Sequence, residues 1–230
     1  MTHHPDNPAR FDLIIFDCDG VLVDSEAISN GILCAMINEQ GLNYSIEQTT
    51  RQFRGRSMAS CYRIIEQELG RPLPGDFDAR FRERTFAAFT RDLKPIVGVA
   101  EVIRALHSSC HRLCVASSGP HDKIRLNLTT TGLLAYFDNH LFSSSDVARG
   151  KPAPDLFLFA AKTMQAKPER CAVIEDSPLG VQAAATAGMT VFGFAEETDP
   201  NELRAAGATV VFEHMSQLLD LLHTTPAAKR

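Results

Sequence analysis

Leu13-Ile14-Ile15-Phe16 is a short, unbroken apolar run that stops at Asp17. A run this short, with no polar alternation, suits a strand buried on both faces of a parallel sheet. Leu113-Cys114-Val115-Ala116, Cys171-Ala172-Val173-Ile174 and Met189-Thr190-Val191-Phe192 repeat the pattern, and Thr209-Val210-Val211-Phe212 and Leu141-Phe142 extend it more weakly. Helical spacing fills the gaps. Val99, Val102, Ile103 and Leu106 share one face, and residues 156–164 and 181–187 read alike. Short strands alternating with helices predict an α/β fold with a doubly wound, Rossmann-like parallel sheet.

The rhythm fails between the first two strands. From Ser25 to Arg91 there is helical periodicity and no strand pattern. Ile28, Ile32, Leu33 and Met36 form one stripe; Cys61, Ile64, Ile65 and Leu69 a second; Phe77, Phe81, Thr85 and Phe89 a third. Residues 25–91 are therefore expected to form a helical cap domain inserted after the first strand, with 1–24 and 92–230 forming the α/β core. An insert leaving the first strand is expected at that strand's carboxyl end, where ligands bind in such sheets. Thr224 to Arg230 reads as a frayed tail.

Composition narrows the function classes. With 44% apolar and 22% charged residues in 230, the chain is an ordinary globular sequence. A net charge of -5 leaves no basic footprint for nucleic acid. No stretch reaches the roughly 18 apolar residues of a membrane span, and the polar start shows no export signal. The six cysteines are irregularly spaced, which favours reduced thiols and a cytoplasmic location. Cys110, His111 and Cys114 lack the second ligand pair of a structural zinc site. The expected partner is a small molecule, with neither nucleic acid nor membrane, and the expected state is a monomer.

Chemistry gathers where the strands end. Asp17-Cys18-Asp19-Gly20 places two carboxylates just past a buried strand, a costly arrangement unless a hard cation or hydrogen-bond donors offset the charge. Ser117-Ser118-Gly119-Pro120 offers hydroxyls at a strand end before a helix, which serves either an anion or the helix cap. In Gly150-Lys151-Pro152-Ala153-Pro154 a lysine is fixed between glycine and proline just before a helix. Glu175-Asp176-Ser177-Pro178 again ends a strand with two carboxylates, and Ser177 and Pro178 suit the following helix's cap and first turn.

These four segments, in this order and spacing, resemble the haloacid dehalogenase-like hydrolase superfamily from Phe11 to about Leu222. The similarity is greatest to its sugar-phosphate phosphatases and β-phosphoglucomutase-like enzymes, and the insert is similar to the family's first type of cap. The resemblance implies that Asp17 attacks phosphorus and becomes an aspartyl phosphate, and that Asp19 protonates the leaving oxygen and then activates water. It implies that Ser117, with Ser118, and Lys151 hold the phosphoryl oxygens. It also implies a Mg²⁺ cofactor bound by Asp17, the Asp19 backbone carbonyl and Asp176, with Glu175 ligating or steering it. The implied substrate is a small phosphorylated metabolite, a sugar phosphate or phosphorylated sugar acid.

Mutase-like relatives carry a histidine early in the cap. Here that stretch reads Asp24-Ser25-Glu26-Ala27-Ile28-Ser29, with Ser29 near the position, which favours a phosphatase over a mutase. A phospholigand-binding domain without turnover is the third reading, disfavoured because every catalytic position is filled. By resemblance, the segment Phe53-Arg54-Gly55-Arg56-Ser57 contacts substrate, so Arg54 or Arg56 is either a second anion site or a surface arginine.

Overall fold

The computed structural model describes residues 11–53, 58–137 and 140–228. Six parallel strands form one sheet: β1 Leu13–Phe16, β2 Leu113–Ser117, β3 Leu141–Ser143, β4 Cys171–Glu175, β5 Thr190–Phe194 and β6 Val210–Phe212. Their order is β3-β2-β1-β4-β5-β6, so β1 lies between β2 and β4. The chain builds outward from β1 in one direction, then returns to its other side. That reversal makes the carboxyl ends of β1 and β4 the place where a crevice opens in a sheet of this kind.

All residues of β1, β2 and β4 are buried, as continuous apolar runs require when helices cover both faces. Side-chain alternation splits β1 between two layers. Leu13 and Ile15 join a core formed with α7 (Asp155–Thr163), α8 (Pro178–Thr186) and α9 (Pro200–Ala206). On the opposite face the Phe16 ring meets Phe137 edge-on at 6.2 Å. Helices α5 (Val99–Ser108), α6 (His121–Thr130) and α10 (Leu218–Thr224) complete the order of this unit.

Both boundaries of one strand, β5, differ from the sequence pattern. Strand β5 begins at Thr190 rather than Met189 and continues past Phe192 to Phe194. The continuation passes through Gly193, where a Cβ would meet Ala208 and Leu203 side chains at 3.1–3.3 Å. A glycine in a strand here marks close packing rather than a break.

The chain divides into two compact units, Met1–Val23 with Pro95–Arg230, and Asp24–Lys94. The second contains four helices among its described residues, α1 Glu26–Glu39, α2 Ile46–Phe53, α3 Met58–Leu69 and α4 Phe77–Asp92, where the sequence showed three stripes. Its own core is Leu33, Met36, Ile37, Phe53, Cys61, Ile65 and Phe77. Short α2 buries only Thr49 and Phe53, too few to produce a stripe. In the first unit, Val23 pairs with Pro95 in an antiparallel bridge and Ile96 N–H donates to Leu22 O at 3.1 Å. The two crossings of the chain are thereby tied together. No helix among the described residues is long and apolar enough to cross a membrane.

Gly31 lies inside α1 with nothing within 4 Å of where a Cβ would stand. Gly31→Ala is expected to stabilise the protein by about 0.5–1 kcal/mol, because alanine loses less backbone entropy in a helix. Urea unfolding followed by circular dichroism tests this, and a lower midpoint would refute it.

Candidate active site

Strand β1 delivers the Asp17 backbone to the centre of the sheet edge. Register pairs Phe16 with Val115 of β2 and with Ile174 of β4, so Asp17 stands level with Ala116 and Glu175. The chain then turns sharply: Leu22 and Val23 N–H both donate to Cys18 O, at 2.9 and 3.1 Å, and Gly20 N–H donates to Val23 O at 3.0 Å. Gly20 has φ +76°, and a Cβ there would lie 2.2 Å from an Asp176 carboxylate oxygen. Only glycine permits both the left-handed backbone and that approach. Cys18, between the two aspartates, is buried, and burial together with Asp19 and Asp17 pushes its thiol well above the usual range. It is therefore an inert core thiol.

Lys151 enters from the loop before α7, and the Lys151–Pro152 bond after it is cis. Its Nζ donates to Asp17 Oδ1 at 2.7 Å, Glu175 Oε1 at 2.5 Å and Ala116 O at 3.1 Å. One ammonium thus joins the ends of β1, β2 and β4. Its side chain is 5% exposed, with Nζ 5.1 Å from the Phe157 ring centroid. Burial alone would discharge such a lysine, but Asp17 and Glu175 outweigh it and raise its pKa.

Glu175 is fully buried and fully engaged. Lys151 holds Oε1, while Ser177 donates to Oε2 from its N–H at 3.0 Å and its hydroxyl at 2.9 Å. Ser177 also caps α8, its Oγ accepting from Gly180 N–H at 3.1 Å, with Pro178 in the first turn. Both parts of that cap were readable from the sequence.

Asp17, Glu175 and Asp176 form a cluster whose ligand oxygens all lie within 4.8 Å of one another. Three carboxylates here face the single ammonium of Lys151. Burial raises the Asp17 pKa to about 7 against the attraction of Lys151, with Glu175 and Asp19 adding to the rise. Burial, Glu175 and Asp17 likewise hold Asp176 well above the carboxylate range. An all-oxygen donor set with excess negative charge is what a hard divalent cation relieves, so the residues present fit Mg²⁺.

Ser117 ends β2, is 1% exposed, and accepts from Gly119 N–H at 3.1 Å through Oγ. Ser118 beside it is exposed. Asp19 lies on the same turn as Asp17. Lys123 Nζ donates to its Oδ2 at 2.8 Å and Asn127 Nδ2 to its Oδ1 at 3.3 Å. Neither residue was singled out by the sequence. Their i, i+4 spacing on the helix that follows Ser117 was the available signal. Arg54 and Arg56 lie outside the described residues.

A parallel sheet reversing at β1, with carboxylates at the ends of β1 and β4 and a lysine between them, is a doubly wound α/β fold with its candidate site at the topological switch point. The family model "haloacid dehalogenase-like hydrolase" matches residues 11–188, and the chain belongs to this family. It is 33% identical over 215 residues to 6-phosphogluconate phosphatase of Escherichia coli, covering 93% of this chain and 95% of that one. It is 30% identical to the fructose-1-phosphate phosphatase of the same organism, covering 78% of this chain and 94% of the other. A solved hydrolase of this family from Deinococcus radiodurans, with bound phosphate and sodium, matches with a TM-score of 0.80 and 33% identity, covering 96% of this chain and 100% of that one.

A Cβ on Gly180 would fall 1.8–2.3 Å from the Glu175 carboxylate. Gly180→Ala must therefore displace a buried group that Lys151 and Ser177 hold from both sides. The expected cost is about 1–3 kcal/mol, and a thermal midpoint equal to that of the parent would refute the close approach.

Proposed function

We propose that the chain is a Mg²⁺-dependent phosphatase that hydrolyses a small phosphorylated metabolite, a sugar phosphate or phosphorylated sugar acid, through an aspartyl phosphate on Asp17. The observation that carries this is the Asp17–Lys151–Glu175 cluster beside Asp176, a nucleophile-sized carboxylate with a fixed cation at its side. The named relatives are phosphatases of just such compounds.

In this reading the Asp17 carboxylate attacks phosphorus in line with the ester oxygen. The phosphorus–ester bond breaks, and Asp19 gives its proton to the departing alkoxide. Water next attacks the phosphorus of the aspartyl phosphate, and Asp19 takes a proton from it. Cleavage of the phosphorus–Asp17 bond releases inorganic phosphate and restores the carboxylate. Lys151 and Ser117, with Ser118, bind the phosphoryl oxygens, where charge spreads in the transition state. Asp17, Asp176 and the backbone carbonyl of Asp19 would hold Mg²⁺, which when bound supplies positive charge against the phosphoryl dianion. Glu175, whose Oε1 accepts from Lys151 and whose Oε2 accepts from Ser177, fixes Lys151 and ligates or steers the metal.

Unit Asp24–Lys94 is the cap domain in this reading, and Arg54 or Arg56 is the candidate for a second anion contact with the substrate. Hydrolysis is favoured over mutase chemistry because α1 begins Glu26-Ala27-Ile28-Ser29 and contains no histidine.

Asp17→Asn is expected to lower kcat on sugar phosphates by on the order of 10⁴-fold or more while the protein stays folded. Lys151→Met is expected to lower it by roughly 10²–10³-fold. A chelator should abolish phosphate release and Mg²⁺ should restore it. Phosphate release from a panel of phosphorylated sugars and sugar acids measures all three, and an Asp17→Asn variant that keeps metal-dependent turnover would falsify the nucleophile assignment.

A further inference from the structure

Asp19 must aim one carboxylate oxygen at two different atoms in succession, the leaving oxygen and the attacking water. A short side chain on a turn does not hold that aim unaided. Lys123 Nζ and Asn127 Nδ2 meet it from the same helix, one on each oxygen, at 2.8 and 3.3 Å. With one donor on each oxygen, both the side-chain direction and the carboxylate plane are fixed.

The surroundings are built around this contact. Lys123 and Asn127 are one turn apart on α6 and so share a face. Gly119 leaves room for the lysine stem, since a Cβ there would meet Lys123 Cδ at 3.3 Å. The start of α6 is itself anchored: Ser143 Oγ donates to Gly119 O at 2.8 Å, and His121 Nε2 pairs with Asp146 Oδ1 at 2.8 Å. Asn127 is fully buried, and its Oδ1 has no hydrogen-bond partner among the described residues. Burying an amide half-satisfied is destabilising, and a leucine would fill the space more cheaply. The Nδ2 contact with Asp19 gives a reason for an asparagine there.

We infer that Lys123 and Asn127 are positioning residues that aim the Asp19 carboxylate for proton transfer. This rests on the phosphatase reading, in which Asp19 moves the protons. In this role Lys123 and Asn127 act through Asp19 and not on the substrate directly.

The test separates the two half-reactions in the magnesium-loaded, full-length enzyme. Departure of p-nitrophenolate needs no proton, so the attack of Asp17 on p-nitrophenyl phosphate should survive a misaimed Asp19. Hydrolysis of the aspartyl phosphate should not. Lys123→Met is expected to show a burst of about one equivalent of p-nitrophenolate per enzyme, followed by a steady rate roughly 10²-fold below the parent's, the scale of loss for a misplaced catalytic group. On a sugar phosphate, whose alkoxide needs a proton, kcat should fall by a similar factor with KM nearly unchanged. Lys123 is partly exposed, so the variant is expected to fold; Asn127→Ser repeats the test through the other oxygen. A parent that hydrolyses phosphate esters beside a Lys123→Met with unchanged rates, or with raised KM and unchanged kcat, overturns the positioning role alone. A parent that releases no phosphate from any ester overturns the phosphatase reading and this inference with it.

Discussion

Everything at the sheet edge depends on the placement of the Lys151 ammonium. It is buried, it lies 134 residues from Asp17 in sequence, and it bonds the ends of three adjacent strands. A charge this deep is tolerated only with close, well-aimed partners. Asp17 and Glu175 supply them, and the Ala116 carbonyl takes the third donor. The lysine in turn makes it possible to bury two carboxylates side by side. Removing the lysine would leave both carboxylates buried without their cation.

The cluster is balanced short of neutrality. Three carboxylates face one ammonium, and burial pushes Asp17 up to about 7 despite its lysine. The second aspartate, Asp19, has its own cation in Lys123. The site thus has a cation-poor part at Asp17 and Asp176, a donor set that fits a metal ion, and an Asp19 carboxylate held by Lys123 and Asn127, which in the proposed reading moves the protons. Two carboxylates two residues apart thereby have different surroundings, as the two roles of the proposed reading require.

Glycines make these contacts possible at two places. At Gly20 a side chain would strike Asp176, and at Gly180 it would strike Glu175. The Gly180–Glu175 approach is local, between the end of β4 and the first turn of α8; the Gly20–Asp176 approach depends on which loops meet in space, and sequence spacing cannot reveal it. The same holds for Gly193, which looks like a strand breaker and instead lets α9 pack against β5.

Much was legible in the chain itself. Period and composition determined the strands, because a segment buried on both faces must be apolar throughout and must stop where polar groups begin. Asp17, Ser117, Lys151, Glu175 and Asp176 were visible as polar residues placed where apolar runs end or helices begin, and Ser177 and Pro178 as the start of a helix. The helical insert was visible as a stretch where that pattern stopped, although α2 was missed for want of buried residues. The strand order was decided only by the tertiary structure. Nothing local specifies that β1 lies between β2 and β4, because strand pairing is made between segments far apart in the chain. From that order follows the meeting of Asp17 with Asp176, the reach of Lys151 to Asp17 and Glu175, and the grip of Lys123 and Asn127 on Asp19. The sequence determined which residues carry charge at the strand ends; the packed sheet decided which of those charges face one another.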